Sequence, residues 1–127
     1  MKKVLSIVAG VIMVVVPLNA LPAPAQAATC YALAETPYWD GGYMIAIGSG
    51  HCSSSVNMSV TVALYRDGTN VAMGTDTCTG TSCATAVLSR NLAGNQKWCG
   101  RTWLYQNGSI VASSGMECET TGYISPR

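Results

Sequence analysis

The sequence has 127 residues with seven Lys or Arg, six Asp or Glu and one His, which gives a net charge of +1 at pH 7. Charged residues make up only 10% of the chain and form no basic cluster, so the composition argues against a nucleic-acid surface. Hydrophobic residues make up 49%, which is typical of a folded chain, and the length predicts one small domain.

The first 27 residues have the pattern of a secretory signal peptide. Lys2 and Lys3 precede an uncharged apolar run from Val4 to Val16, and a small-residue tract ends in Ala25-Gln26-Ala27. The run has 13 residues, whereas a membrane span needs roughly 20. We therefore predict cleavage after Ala27, an extracellular location with no membrane contact after cleavage, and a single secreted β domain over 28–127. Five basic and six acidic residues remain there, a net charge of −1.

The first half of the domain predicts three strands and a hairpin. The strands are 29–36, 43–49 and 56–66, separated by a turn at Asp40-Gly41-Gly42 and a serine loop at 53–55. The third strand alternates strictly, with its apolar positions on one parity: Val56, Met58, Val60, Val62 and Leu64. This alternation predicts one core face and one solvent face. Asp67-Gly68 predicts a type I′ turn that places Leu64 opposite Val71 and Val62 opposite Met73.

The second half of the domain also predicts short strands joined by turns. It predicts a turn over 78–83, a strand over 83–90, a loop over 91–95, a strand over 96–106 and an Asn107-Gly108 hairpin. The tail 119–127 has no pattern and is expected to fray. Seven short strands without helical periodicity predict an all-β, immunoglobulin-like antiparallel sandwich, with a small antiparallel barrel as the alternative.

The two hairpin segments resemble each other at an offset of forty residues. LYRDGTNVAMGTDTC (64–78) and LYQNGSIVASSGMEC (104–118) share six identities in fifteen positions. Internal duplication and the shared demands of Asx-Gly hairpins both account for this similarity. Under either explanation, the two segments should have the same structure.

All six cysteines lie in the predicted exported part, which indicates three disulfides. The spacing favours sequential pairs across hairpins: Cys30 with Cys52, Cys78 with Cys83, and Cys99 with Cys118. Metal binding is the competing interpretation. It is disfavoured because there is no C-x-x-C pair and only one histidine, His51.

Catalytic chemistry finds little support in the sequence. His51 is interpreted as a loop histidine beside Cys52, and no G-x-S-x-G elbow accompanies it. Glu117 and Glu119 share a parity like a carboxylate pair but are expected to form a solvated face. No P-loop, GxGxxG or calcium-loop pattern occurs, so no cofactor is expected. The sequence thus predicts a non-catalytic protein, with a secreted hydrolase as a distant alternative.

Two aromatic clusters are the candidate binding residues. Three aromatic residues surround the first turn: Tyr38, Trp39 and Tyr43. Four residues are predicted to face outward if Leu104 faces inward like Leu64: Tyr65, Arg101, Trp103 and Tyr105. An exposed aromatic strip with an arginine is suited to an extracellular glycan or a protein partner. Core packing is the competing interpretation for Trp98 and Trp103 in particular, since the chain has no Phe.

Proteinase inhibition is the main alternative function. The segment 89–96 lies between cysteines, and Arg90 or Leu92 could enter a protease specificity pocket. A preorganised loop of this kind binds with little loss of conformational entropy.

The segment CTGTSCATAVLSRNLAGN (78–95) resembles part of the secreted actinobacterial enediyne chromoprotein apoproteins, which are immunoglobulin-like sandwiches that carry a small reactive molecule. The matching positions are Cys78, Thr79, Cys83, Leu88, Ser89, Gly94 and Asn95. The resemblance implies a local bridge from Cys78 to Cys83. It covers 18 of the 100 residues in 28–127, and four further cysteines and two Asx-Gly hairpins depart from the family pattern. A small-molecule carrier is therefore a distant alternative, and the family's ligand is not transferred.

Overall fold

The structure is a computed structural model that describes residues 28–119 and 123–124. The predicted signal peptide and most of the predicted frayed tail lie outside the described residues. The described part consists of strands without a helix: β1 Cys30–Ala34, β2 Tyr38–Asp40, β3 Tyr43–Arg66, β4 Thr69–Arg90, β5 Asn95–Gln96, β6 Trp98–Gln106, β7 Ser109–Ser113, β8 Glu117–Cys118 and β9 Tyr123–Ile124. Seven of these strands form one antiparallel sheet, and β9 pairs with β5. The predicted all-β class is confirmed.

Two long strands, β3 and β4, form a hairpin that bends halfway along its length. Their register shifts between His51 and Val56, where residues 52–55 of β3 face the single residue 81 of β4. An excess of residues on one strand bends the ladder without ending it. The predicted serine loop at 53–55 and the predicted turn at 78–83 are therefore wrong, because both segments lie within bent strands.

The bend folds the sheet into two layers that face each other. The first layer contains β1, β2, the first half of β3 and the second half of β4. The second layer contains the other halves of β3 and β4 together with β6, β7 and β8. Gly48 and Gly50 of the first layer lie directly beneath side chains of the second, Thr102 and Leu104. The molecule is thus a sandwich whose layers share their two longest strands.

The core fills the space between the layers. Val60, Val62, Leu64 and Leu104 are fully buried, as the alternation predicts. They pack with inward residues of the first layer, including Met44, Ala46 and Ala32. Trp98 is also fully buried and packs in the core, so it does not contribute to a binding surface.

The first tight turn has the predicted type, but the predicted register is wrong by one residue. Asp67 and Gly68 both have positive φ, 51° and 85°, as a type I′ turn requires. Leu64 nevertheless pairs with Ala72, and Val62 pairs with Gly74. A bulge at Val71 causes the shift, and the Asn70 side-chain amide stabilises it by donating to the carbonyls of Leu64 (3.2 Å) and Ala72 (3.1 Å). Met73 consequently lies at the surface.

The second hairpin repeats this geometry forty residues later. Asn107 and Gly108 have φ of 52° and 78°. Leu104 pairs with Ala112 and Tyr105 with Ile110, which places an equivalent bulge at Val111. The prediction that both segments share one structure is confirmed for the hairpins, including the bulge that the alignment alone did not indicate. The return arms then differ, because β4 continues through Cys78 whereas residues 114–116 separate β7 from β8.

Three disulfides join the pairs expected from the spacing. Cys30 bonds to Cys52 across β1 and β3, and Cys99 bonds to Cys118 across β6 and β8. The third, Cys78 to Cys83, spans the bend within β4. Three disulfides in so small a domain indicate an oxidising, extracellular environment. Among the described residues, no helix has the length and apolar character needed to cross a bilayer.

The close approach of the layers leads to a stability prediction. A Cβ at Gly48 would overlap the Thr102 hydroxyl and lie 2.9 Å from Thr102 Cγ2 and 3.0 Å from Val62 Cβ. We expect Gly48→Ala to lower the free energy of unfolding by about 1 to 2 kcal/mol, since overpacking a dense core forces side chains from their rotamers. Urea denaturation measures this change.

The double variant Gly48→Ala/Thr102→Ala should recover most of the loss, because the Thr102 hydroxyl has no hydrogen-bond partner among the described residues and is dispensable. Gly115→Ala is the matched control, because nothing lies within 4 Å of its added Cβ. Equal destabilisation by Gly48→Ala and Gly115→Ala would contradict the layer packing.

Candidate functional site

The outer side of the second layer brings the predicted aromatic strip together with a set of hydroxyl side chains. Trp103 pairs with Thr61, and Tyr105 pairs with Ser59. On the other side of β3, Thr61 pairs with Thr75, and Ser59 pairs with Thr77. Directly paired residues point to the same face of a sheet. Each row therefore runs from two hydroxyls to one aromatic ring, and we call this surface the aromatic face.

The hydroxyl side chains form a cross-strand ladder with three rungs. Thr79 Oγ1 donates to Asn57 Oδ1 at 2.6 Å. The oxygens of Ser59 and Thr77 are 3.0 Å apart, and those of Thr61 and Thr75 are 2.7 Å apart. A hydroxyl has one donor and two acceptor positions. Each hydroxyl pair therefore retains one donor and three acceptor positions for water or a ligand.

An open groove of about 460 Å³ follows this ladder. Tyr105 borders the groove on one side, and the Asn107-Gly108 turn closes one end. The remaining lining consists of Asn57, Met58, Ser59, Thr61, Thr75 and Thr77. The groove is thus lined by residues that carry hydroxyl and amide groups, although most of its exposed lining surface is apolar, and it is flanked by an aromatic ring.

Arg101 adds a cation to the aromatic face. Its guanidinium carbon lies 5.2 Å from the centre of the Trp103 ring, within the range of a cation–π contact. Its Nε is buried without a hydrogen-bond partner among the described residues. Arg101, Trp103 and Tyr105 are all partly exposed, as predicted for outward positions. The stacking holds the guanidinium beside the indole ring.

Tyr65 lies on the same face but at its far end. It pairs with Cys99, three rows from the pair of Ser59 and Tyr105, because β3 and β6 run antiparallel. Tyr65 and its repeat counterpart Tyr105 are therefore at opposite ends of one surface. Tyr65 is partly exposed beside the Cys99–Cys118 disulfide and does not line the groove.

No protein-family model and no curated protein matches the chain. The chain is similar to a solved structure of Bacteroides uniformis β-glucuronidase, with a TM-score of 0.50 at 12% sequence identity. A second structure, of Bacteroides uniformis β-glucuronidase 2 covalently bound to cyclophellitol-6-carboxylate aziridine, gives a TM-score of 0.49 at 12% identity. Each match covers 71% of this chain and 14% of the other chain. At this identity the likeness concerns the fold alone.

The first aromatic cluster is divided by the fold. Tyr38 and Tyr43 are exposed on the outer side of the first layer, where Tyr38 pairs with Ile45. Trp39, which lies between them in sequence, points the other way, is partly buried and packs against the core around Met44. Six of the seven candidate aromatic and arginine positions consequently lie on two opposite surfaces, and Trp39 contributes to neither.

The candidate inhibitor residues lie at the start of the loop. Arg90 is the last residue of β4, pairs with Tyr43 and places its guanidinium carbon 6.0 Å from the centre of that ring. Leu92 is exposed. The Gln96 side-chain amide donates to the carbonyls of Leu92 (3.0 Å) and Ala93 (2.9 Å) and fixes the loop backbone. Of the two candidate inhibitor residues, Arg90 is therefore part of a strand, and only Leu92 lies exposed on the loop.

The remaining titratable candidates lie apart from the aromatic face. His51 stacks on Tyr31 with ring centres 5.0 Å apart, and its Nε2 is 3.1 Å from Ser49 Oγ. His51 is a strand residue of β3, so its predicted loop position is wrong. Glu117 is exposed, whereas partial burial raises the pKa of the Glu119 carboxyl.

Sequence reasoning missed the hydroxyl ladder for a definable reason. In the predicted register, which has no bulge, Thr61 would pair with Gly74 and Ser59 with Asp76. That register gives no indication of a hydroxyl ladder. With the bulge at Val71, Thr61 pairs with Thr75 and Ser59 with Thr77. The available signal was the polar alternation of 57–61 and of 75–79, which lie on one hairpin.

Proposed function

We propose that this protein is an exported, non-catalytic module that binds carbohydrate on its aromatic face. The observation that carries the proposal is the row-by-row alignment of Trp103 and Tyr105 with paired hydroxyls of β3 and β4. A sugar ring has an apolar C–H face and a rim of hydroxyls, so it requires an aromatic platform and adjacent donors and acceptors. Aromatic side chains combine an apolar body with a polar tip and suit this role.

The hydroxyl ladder supplies the polar half of such a site. Ser59, Thr75 and Thr77 are at least partly exposed and are held by cross-strand hydrogen bonds, so a ligand would meet donors and acceptors that are already positioned. Thr61 is buried and orients the hydroxyl of Thr75. Preorganisation of this kind reduces the entropy that binding costs. Arg101 contributes further donors beside Trp103, because a guanidinium carries five N–H groups.

The shape of the site favours an extended ligand. Sites for small molecules are usually concave and enclose most of the ligand surface. Here an open groove of about 460 Å³ continues into a flat aromatic strip. A polysaccharide chain lying along the strands would contact the groove at Tyr105 and the ring of Trp103 in succession. We therefore favour a polymeric glycan over a free monosaccharide.

Export is part of the proposal and rests on two features. The first 27 residues have the signal-peptide pattern, and the domain that follows contains three disulfides. An exported binding module would serve to attach its bearer, or itself, to an extracellular polymer.

A glycan array together with pull-down on insoluble polysaccharides tests this function. The protein should be produced with its disulfides formed, and we expect it to be retained by at least one polymer and released by the matching soluble oligosaccharide. Leu92→Ala is a suitable control because Leu92 is exposed on the loop after β4, outside the aromatic face. Absence of retention by every glycan on the array and every polymer tested would refute the proposal and direct attention to a protein partner.

A further inference from the structure

The outer side of the first layer is unusually apolar. Exposed or partly exposed apolar side chains lie on this side on four strands, next to the polar Ser49, His51 and Ser82: Tyr31, Leu33, Tyr38, Ile45, Ile47 and Leu88. Tyr38, Ile45 and Leu88 form one continuous row across β2, β3 and β4. Leu88 retains 56% of its accessible surface and Leu33 retains 49%. We call this surface the apolar face.

The pattern of β3 is that of a strand covered on both sides. Met44 and Ala46 fill the core on the inner side, while Ile45 and Ile47 lie on the outer side. Strands with one solvated face alternate apolar and polar residues, whereas strands buried on both faces have continuous apolar runs. Contiguous exposed apolar surface of this kind marks an interaction site on a soluble protein. We therefore expect the apolar face to be covered by a binding partner.

Charged residues at the edge of the apolar face indicate what that partner is. Asp40, Tyr43 and Arg90 form a single row, with the two charges on strands that flank β3. The outer strands of such a row are about 10 Å apart. A twofold axis parallel to β3 would place Asp40 of each copy over Arg90 of the other. Glu35, the neighbouring charge, would then lie over the small side chain of Ala86.

We propose that the apolar face is the interface of a homodimer related by this twofold axis. A row that carries an acid and a base on opposite sides of a central tyrosine is complementary to itself under this twofold rotation, as an isologous interface requires. The face spans five rows of paired residues, a length of about 27 Å. A patch of this length and only three strands wide is smaller than the interface of a stable dimer, so we expect the dimer to be weak and concentration-dependent.

The dimer has a functional consequence that does not depend on the ligand's identity. The aromatic face lies on the opposite side of the sandwich from the apolar face, so both aromatic faces would point outward in the dimer. Two sites on one particle raise the effective affinity for a repetitive target. Each copy would thus retain its full groove.

Sedimentation velocity over about 1 µM to 1 mM tests the proposal, because this range covers weak protein association. We expect the wild-type protein to shift from monomer to dimer within the range, and Leu88→Glu to remain monomeric throughout. Met116→Glu is the matched control, since Met116 is also exposed but lies on the connection between β7 and β8. Circular dichroism confirms that each variant is folded.

Charge reversal tests the orientation of the two copies. Asp40→Arg and Arg90→Asp should each weaken association at least about tenfold, and the double variant should restore it, because opposite charges then face each other again. A wild-type protein that stays monomeric, or a dimer that Leu88→Glu leaves intact, would overturn the interface. A double variant no better than either single variant would overturn the twofold arrangement.

Discussion

Replacing Trp103 with alanine should weaken carbohydrate binding about 30-fold or more. Truncating a central aromatic anchor at an interface typically costs about 2 kcal/mol or more, which corresponds to a factor of this size. Trp103 lies between Arg101 and Tyr105 along β6 and opposite Thr61, so its ring is at the centre of the aromatic face. Isothermal titration calorimetry with a soluble oligosaccharide identified on the array measures the loss.

Two matched variants separate loss of stacking from loss of structure. Trp103→Phe retains an aromatic platform and should recover most of the affinity, whereas Leu92→Ala alters an exposed loop outside the aromatic face and should leave the affinity unchanged. Because Trp103 is only partly exposed and stacks on Arg101, its truncation should cost some stability, and thermal unfolding establishes that each variant is folded at the temperature of the titration. An affinity that Trp103→Ala leaves within about twofold of wild type would exclude Trp103 as an anchor.

Removing the disulfide between Cys30 and Cys52 should lower the free energy of unfolding by about 3.4 kcal/mol. The estimate comes from the entropy of closing a 23-residue loop in the unfolded chain. A small domain has roughly 5 to 15 kcal/mol of stability in total, so the Cys30→Ala/Cys52→Ala variant should be severely weakened. Guanidinium denaturation of the double variant measures the difference.

The Cys78–Cys83 disulfide provides an informative contrast. Its loop has six residues, so chain entropy alone assigns it about 2.2 kcal/mol. It also spans the bend of β4, and Cys83 is packed in the core. If removing it costs more than removing the Cys30–Cys52 bridge, then its role in holding the bent strand outweighs chain entropy.

The features that depend on local chemistry were predictable from sequence. Strict alternation from Val56 to Leu64 correctly identified the core face, since shifting a strand by one residue would expose every apolar side chain. Asp67-Gly68 and Asn107-Gly108 predicted tight turns because these residues tolerate positive φ. The spacing of the cysteines about these turns led to pairs that the structure confirms.

The features that depend on long-range pairing were not predictable in the same way. The bulges at Val71 and Val111 change no local preference, yet each shifts the register by one residue. The bend at 52–55 was predicted as a loop because consecutive serines are common in loops. In the structure these serines form a bend outside the ladder, between two paired halves of β3, so the strand continues past them. Turn chemistry identifies where the chain reverses, and only packing between the layers determines how the strands align.

The candidate site also combines features that the sequence predicted with features that it did not. The parity of Arg101, Trp103 and Tyr105 relative to Leu104 predicted an outward strip, and the structure places these side chains together and partly exposed. The hydroxyl ladder depends on the unpredicted bulge and was missed. Trp39 was grouped with Tyr38 and Tyr43 through sequence proximity, although alternation along β2 sends it inward.

Amide and indole chemical-shift mapping during titration with an array-positive oligosaccharide tests the central proposal most directly. We predict saturable shifts at Trp103, Tyr105, Ser59 and Thr77, with the indole N–H of Trp103 moving and the signals of Tyr38 and Leu88 unchanged. Shifts confined to the first layer, or no shifts at a saturating oligosaccharide concentration, would contradict binding at the aromatic face.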